Sequence, residues 1–134
     1  MTDFVVDASV ACSWVLPDEA STIGDTAYAR LQTNRALVPD LFWHEARNVL
    51  MMTYRPKRID FAMVATAMAM LRMLPIRTLG QPHDQPIFTL AERHNLTAYD
   101  AAYLALALET KLPLATLDKQ LITAATQGNV LLLA

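Results

Sequence analysis

The fold is decided by the stretch Phe4-Val5-Val6-Asp7-Ala8-Ser9 near the start of the chain. Three consecutive β-branched or aromatic residues, without polar alternation, are typical of a strand that is covered on both faces. Asp7 ends this run. In an open α/β sheet the carboxyl ends of the strands face the ligand crevice, so an acid here is expected where substrates bind. A plainer interpretation is that Asp7 or Ser9 only caps a helix that starts near Val10.

The rest of the chain alternates extended and helical segments. The pattern predicts strands at 4–6, 36–38, 76–79, 112–117 and 130–133, and helices at 10–16, 18–33, 40–54, 59–73, 84–94, 97–108 and 118–127. Asp40, Thr97 and Asp118 are the predicted N-caps of the helices that they begin. This alternation predicts an α/β fold with three layers, in which helices cover both faces of a mainly parallel sheet of four to five strands.

Length and charge limit the classes of protein that fit. The 134 residues suit one domain that spans 1–134 and buries a proper core. The formal net charge of −2 argues against broad, non-specific binding of nucleic acid, which usually needs a basic surface. A metal-dependent nuclease is still allowed, because bound divalent ions can supply the positive charge at its site.

Cysteine content and hydropathy bear on where the protein acts. The single cysteine, Cys12, excludes an internal disulfide and a zinc site built from several cysteines, which fits a reducing compartment. No apolar run is long enough to cross a bilayer, and the N-terminus lacks a basic segment followed by a long apolar stretch. We therefore expect a soluble, cytoplasmic protein that does not associate with membranes.

Glu45 is the acid with the poorest ordinary explanation. It lies three residues after Phe42 and four before Val49, so its carboxylate points the way that the apolar side of its helix points. A buried, unpaired carboxylate is costly, and we expect Glu45 to have a cation partner, a bound proton or a metal ion. Asn48, one turn later, is close enough to help position it.

Three further acids, Asp7, Asp100 and Asp118, each have a structural alternative. Asp7 and Asp118 can be helix caps, and Asp100 can complete a variant of the capping box that Thr97 begins. However, two of these acids follow predicted strands, and Asp100 and Glu45 lie on helices that could lean over the same edge. If the four converge, mutual repulsion raises their pKa values unless a cation compensates.

The chemistry of this acid group indicates a hard metal ion. Ligand sets made only of oxygen select cations such as Mg²⁺ or Mn²⁺. Zinc is less favoured, because the histidines, His44, His83 and His94, are scattered and no pair shows ligand spacing.

Four short segments resemble the motifs of a known family when they are taken in order and with their spacing. They are Val6-Asp7-Ala8-Ser9, Glu45-Ala46-Arg47-Asn48, Tyr99-Asp100-Ala101-Ala102-Tyr103 and Ala115-Thr116-Leu117-Asp118. Together they resemble the PIN domain, and in particular the VapC-type toxins of bacterial toxin-antitoxin modules. The resemblance covers nearly the whole chain.

The resemblance implies a metal-dependent endoribonuclease. Asp7, Glu45, Asp100 and Asp118 stand at the positions of the family's four catalytic acids, which hold Mg²⁺ or Mn²⁺, and Ser9, Asn48 and Thr116 match polar positions that support them. The implied partners are an RNA substrate, a second copy of the chain in a homodimer, and a small VapB-type antitoxin. In the family the C-terminal segment of the antitoxin covers the catalytic groove.

Two other functions fit parts of the pattern. A phosphoacceptor receiver domain is also a small parallel α/β fold, but it needs an acid pair after the first strand and a lysine after the fifth. Here Asp7 stands alone, and no lysine follows Val130. A non-catalytic PIN-like RNA-binding module would be favoured by the loss of acids, and none is missing.

The basic cluster Arg55, Lys57 and Arg58 is either a solvated loop or a contact for phosphates or an acidic partner segment.

Overall fold

The structure is a computed structural model that describes residues 2–17, 19–80 and 83–133. Within these residues the chain forms four strands and seven helices. In chain order they are β1 (Phe4–Val6), α1 (Ala8–Ser13), α2 (Thr22–Arg30), β2 (Ala36–Pro39), α3 (Phe42–Tyr54), α4 (Phe61–Met73), β3 (Ile76–Leu79), α5 (Asp84–His94), α6 (Ala98–Thr110), β4 (Leu114–Ala115) and α7 (Lys119–Gln127).

The sheet has the order β3-β2-β1-β4, and every pairing is parallel. β1 therefore lies between two neighbours, with Val5 in register with Leu37 on one side and with Leu114 on the other. Its three residues are completely buried, as their apolar pattern predicts. The chain moves from β1 to β2 in one direction and later returns to β4 on the other side. This reversal opens a crevice at the carboxyl ends of β1 and β4.

The helices form two groups that cover the sheet. α1 contacts α2, α3 and α4, whereas α6 contacts α5 and α7 and packs against β1, β2 and β4. Ala101 and Ala107 of α6 are buried, and their small side chains let this helix approach the sheet closely. The prediction of a three-layer α/β/α fold with a parallel sheet is thus confirmed.

Several predicted element boundaries differ from those observed. α1 begins at Ala8 rather than near Val10, because Asp7 itself is the N-cap. The helix predicted from 18 begins at Thr22, where Ser21 is the cap; Asp18 lies outside the described residues. Asp40 is not a cap: β2 runs through Pro39 and is followed by a turn, so the cap position falls on Leu41, which makes no side-chain capping bond.

The predicted last strand, 130–133, is reduced to a single bridge between Leu114 and Leu132. Asn129 has a φ of 61°, and the backbone N–H of Val130 donates to the carbonyl of Ala125, so the segment first turns back over α7. The strand predicted at 112–117 shrinks to Leu114–Ala115, and beyond its end the hydroxyl of Thr116 accepts a hydrogen bond from the backbone N–H of Asp118.

None of the helices in the described part of the chain combines the length and apolar character that crossing a membrane requires.

The two capping assignments can be tested by unfolding in urea. Ser21 Oγ accepts a hydrogen bond from the N–H of Gly24 over 3.0 Å, so Ser21→Ala should lower the free energy of unfolding by about 1 kcal/mol. Asp40 makes no capping bond, so Asp40→Ala should change it by less than about 0.5 kcal/mol. An equal loss in both variants would contradict the observed start of α3.

Candidate active site

Asp7 lies at the carboxyl end of β1 and is held by three hydrogen bonds. Its Oδ1 accepts from the Ser9 hydroxyl over 2.9 Å and from the N–H of Val10 over 3.0 Å, and its Oδ2 accepts from the Thr116 hydroxyl. Only 7% of the residue is exposed. Asp7 is therefore both the N-cap of α1 and a residue that faces the crevice, so the two interpretations of this side chain are compatible.

Asp118 repeats this arrangement at the end of β4. Its Oδ1 accepts from the N–H of Leu121 over 3.0 Å, which makes it the N-cap of α7 as predicted. Its own N–H donates to the Thr116 hydroxyl oxygen over 3.1 Å. Thr116 is thus a bridge that ties Asp118 to Asp7, and the two acids at the switch point of the sheet are fixed relative to each other.

Glu45 reaches the same crevice from α3 and meets a tyrosine rather than a cation. The Tyr103 hydroxyl donates to Glu45 Oε1 over 2.6 Å. Glu45 is partly buried, as its place on the apolar side of the helix predicts. None of the ion pairs among the described residues includes it.

Asp100 lies in the first turn of α6. Thr97 is the observed N-cap, and its hydroxyl accepts from the N–H of Asp100 over 3.1 Å, so this part of the predicted capping box is correct. The carboxylate of Asp100 lines the crevice. Its partial burial and its position in the cap are therefore compatible with a role in the site.

A cavity of about 500 Å³ joins these groups, a size that is common for ligand sites. Among the described residues, its lining contains all four predicted acids, together with Ser9 and Asn48. Thr116 lies behind it and acts through Asp7 and Asp118. The structure thus brings the seven predicted site residues to one place, while their chemical roles stay predictions.

The cavity is short of positive charge. Burial raises the pKa of Asp7, and the charge of Asp118 adds to this effect against the opposing hydrogen bonds. Burial likewise raises the pKa of Glu45, with repulsion from Asp100 and Asp7, and burial raises the pKa of Asp100. No Lys or Arg is found among the described lining residues. A cation that enters the cavity would relieve this electrostatic cost.

The donor set fits a hard divalent cation. All the candidate ligands are oxygens, as Mg²⁺ and Mn²⁺ prefer. Within 2–17, 19–80 and 83–133, however, no three Asp, Glu, His or Cys side chains are gathered closely enough to hold one ion. This open arrangement suits Mg²⁺, which usually keeps several waters and binds through one or two carboxylates together with substrate phosphates.

Two residues that line the cavity, Tyr103 and His44, and one beside it, Arg47, were not given a role from the sequence. Tyr103 was quoted only as part of a motif, although it follows Asp100 by one helical turn and so shares its face. His44 lines the cavity, and Arg47 Nη1 lies 3.2 Å from His44 Nδ1. His44 and Arg47 are three residues apart, a spacing that places two side chains on one face of a helix and that could have predicted their contact.

The basic cluster Arg55, Lys57 and Arg58 lies away from this cavity, after the end of α3. All three residues are exposed, and Arg58 forms an ion pair with Glu19 at 2.6 Å. The cavity lining contains none of them. Their exposed position agrees with the interpretation of this cluster as a solvated loop.

Comparison with known proteins identifies a family and a curated relative to which the chain is similar. A family model described as the PIN domain matches residues 4–126. Among curated proteins, the chain is 32% identical over 125 residues to Ribonuclease VapC3 of Pyrobaculum aerophilum, which covers 87% of this chain and 90% of that protein.

Solved structures show that the fold is shared. The crystal structure of PAE2754 from Pyrobaculum aerophilum matches with a TM-score of 0.71 at 24% identity, over 92% of this chain and 79% of that one. VapC20 of Mycobacterium tuberculosis, described as a toxin that cleaves the sarcin-ricin loop, matches with a TM-score of 0.61 at 13% identity, over 90% of this chain and 94% of that one.

The burial of Asp7 predicts an unusual effect on stability. Because the pKa of Asp7 is raised in the folded state, folding favours its protonated form, and the charged form costs stability that accumulates as the pH rises through that pKa. In buffer with EDTA at pH 7.5, Asp7→Asn should therefore unfold at the same temperature as the wild type or above it. The advantage should shrink as the pH is lowered from 7.5 and falls through the raised pKa of Asp7, because the wild-type carboxylate is then protonated in the folded state.

Differential scanning fluorimetry over this pH range is the measurement. The pKa of Asp3 is lowered, chiefly by a hydrogen bond from the Arg35 backbone. The stability that the charged form of Asp3 contributes is therefore lost only at pH values below the ordinary pKa of an aspartate, and it does not affect this comparison. A variant that melts well below the wild type at pH 7.5 would show that the hydrogen bonds to the carboxylate outweigh the cost of burying it.

Proposed function

The chain belongs to the PIN domain family, and on this premise we propose that it is a VapC-type, metal-dependent endoribonuclease that acts as the toxin of a toxin-antitoxin pair. The observation that carries the proposal is the cavity at the switch point of the sheet, which four carboxylates line without a Lys or Arg among the described lining residues. The identity of 32% to Ribonuclease VapC3 supports the same activity.

The four acids divide the work according to their positions. Asp7 and Asp118 are the proposed direct ligands of a Mg²⁺ or Mn²⁺ ion, and Asp100 is the next candidate, which can act through a bound water. Glu45 either binds a second ion or orients the attacking water. When bound, the divalent ion supplies positive charge that stabilises the phosphorane-like transition state and lowers the pKa of water. The acids themselves hold this charge at the point where the phosphodiester is cleaved.

Two of the three proposed supporting residues, Ser9 and Thr116, form hydrogen bonds with the acids. The hydroxyls of Ser9 and Thr116 each occupy one oxygen of Asp7, which fixes the plane of its carboxylate. Asn48 lines the cavity one turn after Glu45, and its amide can donate to a carboxylate or to a phosphate oxygen. These neutral groups orient the acids without neutralising their charge.

Contact with the RNA backbone is proposed for Arg47. Its guanidinium is held beside His44, which lines the cavity, so a cationic group lies next to an otherwise acidic opening. An Arg in this place can pair with a phosphate that flanks the cleaved bond. The net charge of −2 agrees with binding that relies on a few such contacts rather than on a broad basic surface.

The proposed partners and setting follow from the family. We propose a single nuclease domain over residues 1–134 that acts in the cytoplasm as a homodimer, without a membrane. Its inhibitor would be a VapB-type antitoxin whose C-terminal segment covers the catalytic groove. Large exposed apolar side chains such as Phe61 and Met73 on α4 offer the kind of surface that protein partners cover.

The receiver domain is disfavoured by the sheet. The order β3-β2-β1-β4 differs from the order 2-1-3-4-5 that CheY-like domains adopt. The non-catalytic RNA-binding module is disfavoured because all four acids are present and face one cavity.

Substitution of Asp100 tests the catalytic proposal. Asp100→Asn keeps the size of the side chain and removes its charge, so RNA cleavage with Mg²⁺ should fall by at least about 100-fold. The far-ultraviolet circular dichroism spectrum and the melting temperature should stay close to those of the wild type. Asp60→Asn, an exposed acid at the start of α4 without a capping bond, is the control and should cleave normally. Full activity of Asp100→Asn would end the proposed mechanism.

Substitution of Arg47 tests the RNA contact. Binding of a short RNA should be measured on the Asp100→Asn background, where it is not cleaved, at several salt concentrations. Arg47→Ala should weaken binding and reduce the slope of log K against log[salt] by about 1, because one phosphate contact is lost. Arg93→Ala, an exposed arginine on α5, should change neither quantity. An unchanged slope in Arg47→Ala would place the phosphate contact elsewhere.

A further inference from the structure

Tyr103 is a buried phenol that joins three elements at the floor of the cavity. Its residue is 1% exposed, and its hydroxyl donates to Glu45 Oε1 over 2.6 Å. The same hydroxyl lies beside the backbone amide of Ala8, the residue that follows Asp7. One side chain of α6 thus contacts an acid of α3 and the first turn of α1.

Glu45 needs such a contact because its neighbours repel it. Asp100 and Asp7 both act on it with like charge, and burial disfavours its ionised form. The side chain is only partly buried, so burial by itself does not fix its position. Among its described contacts, the bond from Tyr103 is the one that favours the carboxylate in its present place.

We propose that Tyr103 is a positioning residue that holds Glu45 in the cavity through one carboxylate oxygen and leaves the other oxygen free for a metal ion. This inference rests on the proposed nuclease function. A hydroxyl suits the task because it donates a strong hydrogen bond to a carboxylate and carries no charge that would compete with a cation.

The ordinary alternative is that Tyr103 is a core residue whose hydroxyl merely finds a nearby acceptor, as buried tyrosines usually do. The two explanations differ in one respect. If Tyr103 acts through Glu45, removal of its hydroxyl has no further effect once Glu45 is absent. If it is only a core residue, removal of its hydroxyl lowers stability and leaves the affinity for Mn²⁺ unchanged.

A double-mutant cycle separates them. The proteins are the full-length wild type, Tyr103→Phe, Glu45→Ala and the double variant, each purified free of inhibitor. Tyr54→Phe is the control, because Tyr54 lies in the last turn of α3, where its ring packs against Phe61 and not in the cavity. Mn²⁺ affinity is measured by calorimetry without RNA, and thermal unfolding is measured in EDTA.

Tyr103→Phe should weaken Mn²⁺ binding by about 10-fold, as the loss of an outer hydrogen bond to a ligand does, while Tyr54→Phe binds normally. On the Glu45→Ala background, Tyr103→Phe should cause no further loss. Wild-type affinity in Tyr103→Phe, or an equal loss on both backgrounds, would overturn the role of Tyr103.

The unfolding measurements keep this inference separate from the proposed function. A wild type that binds no Mn²⁺ would refute the metal site, yet the cycle in EDTA would still decide the link between the two residues. Tyr103→Phe should shift the melting temperature by different amounts in the presence and absence of the Glu45 side chain. Equal shifts would show that the hydroxyl does not hold Glu45.

Discussion

The buried carboxylate of Asp7 is the constraint on which the site depends. A charge that is taken out of water at the end of the central strand must be compensated, and here the Ser9 hydroxyl, the N–H of Val10 and the Thr116 hydroxyl do so in part. These bonds begin α1, join β1 to β4 and, through Thr116, place Asp118 beside Asp7. The hydrogen bonds that fix the local fold at the switch point are therefore the same ones that arrange the acids.

The compensation comes from neutral donors. Thr116 on Asp7 and Tyr103 on Glu45 are hydroxyls, and none of the ion pairs within the described residues includes a site acid. A lysine or arginine in either place would stabilise the folded state more simply, but it would occupy the negative charge that a divalent cation needs. The pKa values of Asp7, Glu45 and Asp100 are raised, first of all by burial. The charged forms of these acids therefore lower the stability of the protein without a bound cation.

Capping and catalysis are not competing explanations for these acids. Asp7 and Asp118 cap α1 and α7 and also line the cavity, because the carboxyl end of a strand that leads directly into a helix is both a cap position and the ligand edge of the sheet. Asp40, by contrast, looked like a cap in the sequence and is not one, since β2 extends through Pro39 and displaces the start of α3. The length of a strand depends on its neighbours, which a local pattern does not contain.

The sequence by itself determined the parallel α/β fold, most of the helices and the four acids, because apolar periodicity and the ends of strands are local properties. It also carried the family motifs, which their order and spacing made specific. Only the tertiary structure decided that Tyr103 meets Glu45, 58 residues away, and that Thr116 meets Asp7, 109 residues away. The same holds for the reduction of 130–133 to one bridge. Such contacts depend on how α6 and β4 pack against β1, and side-chain spacing along the chain fixes the face of an element but not its partner across the core.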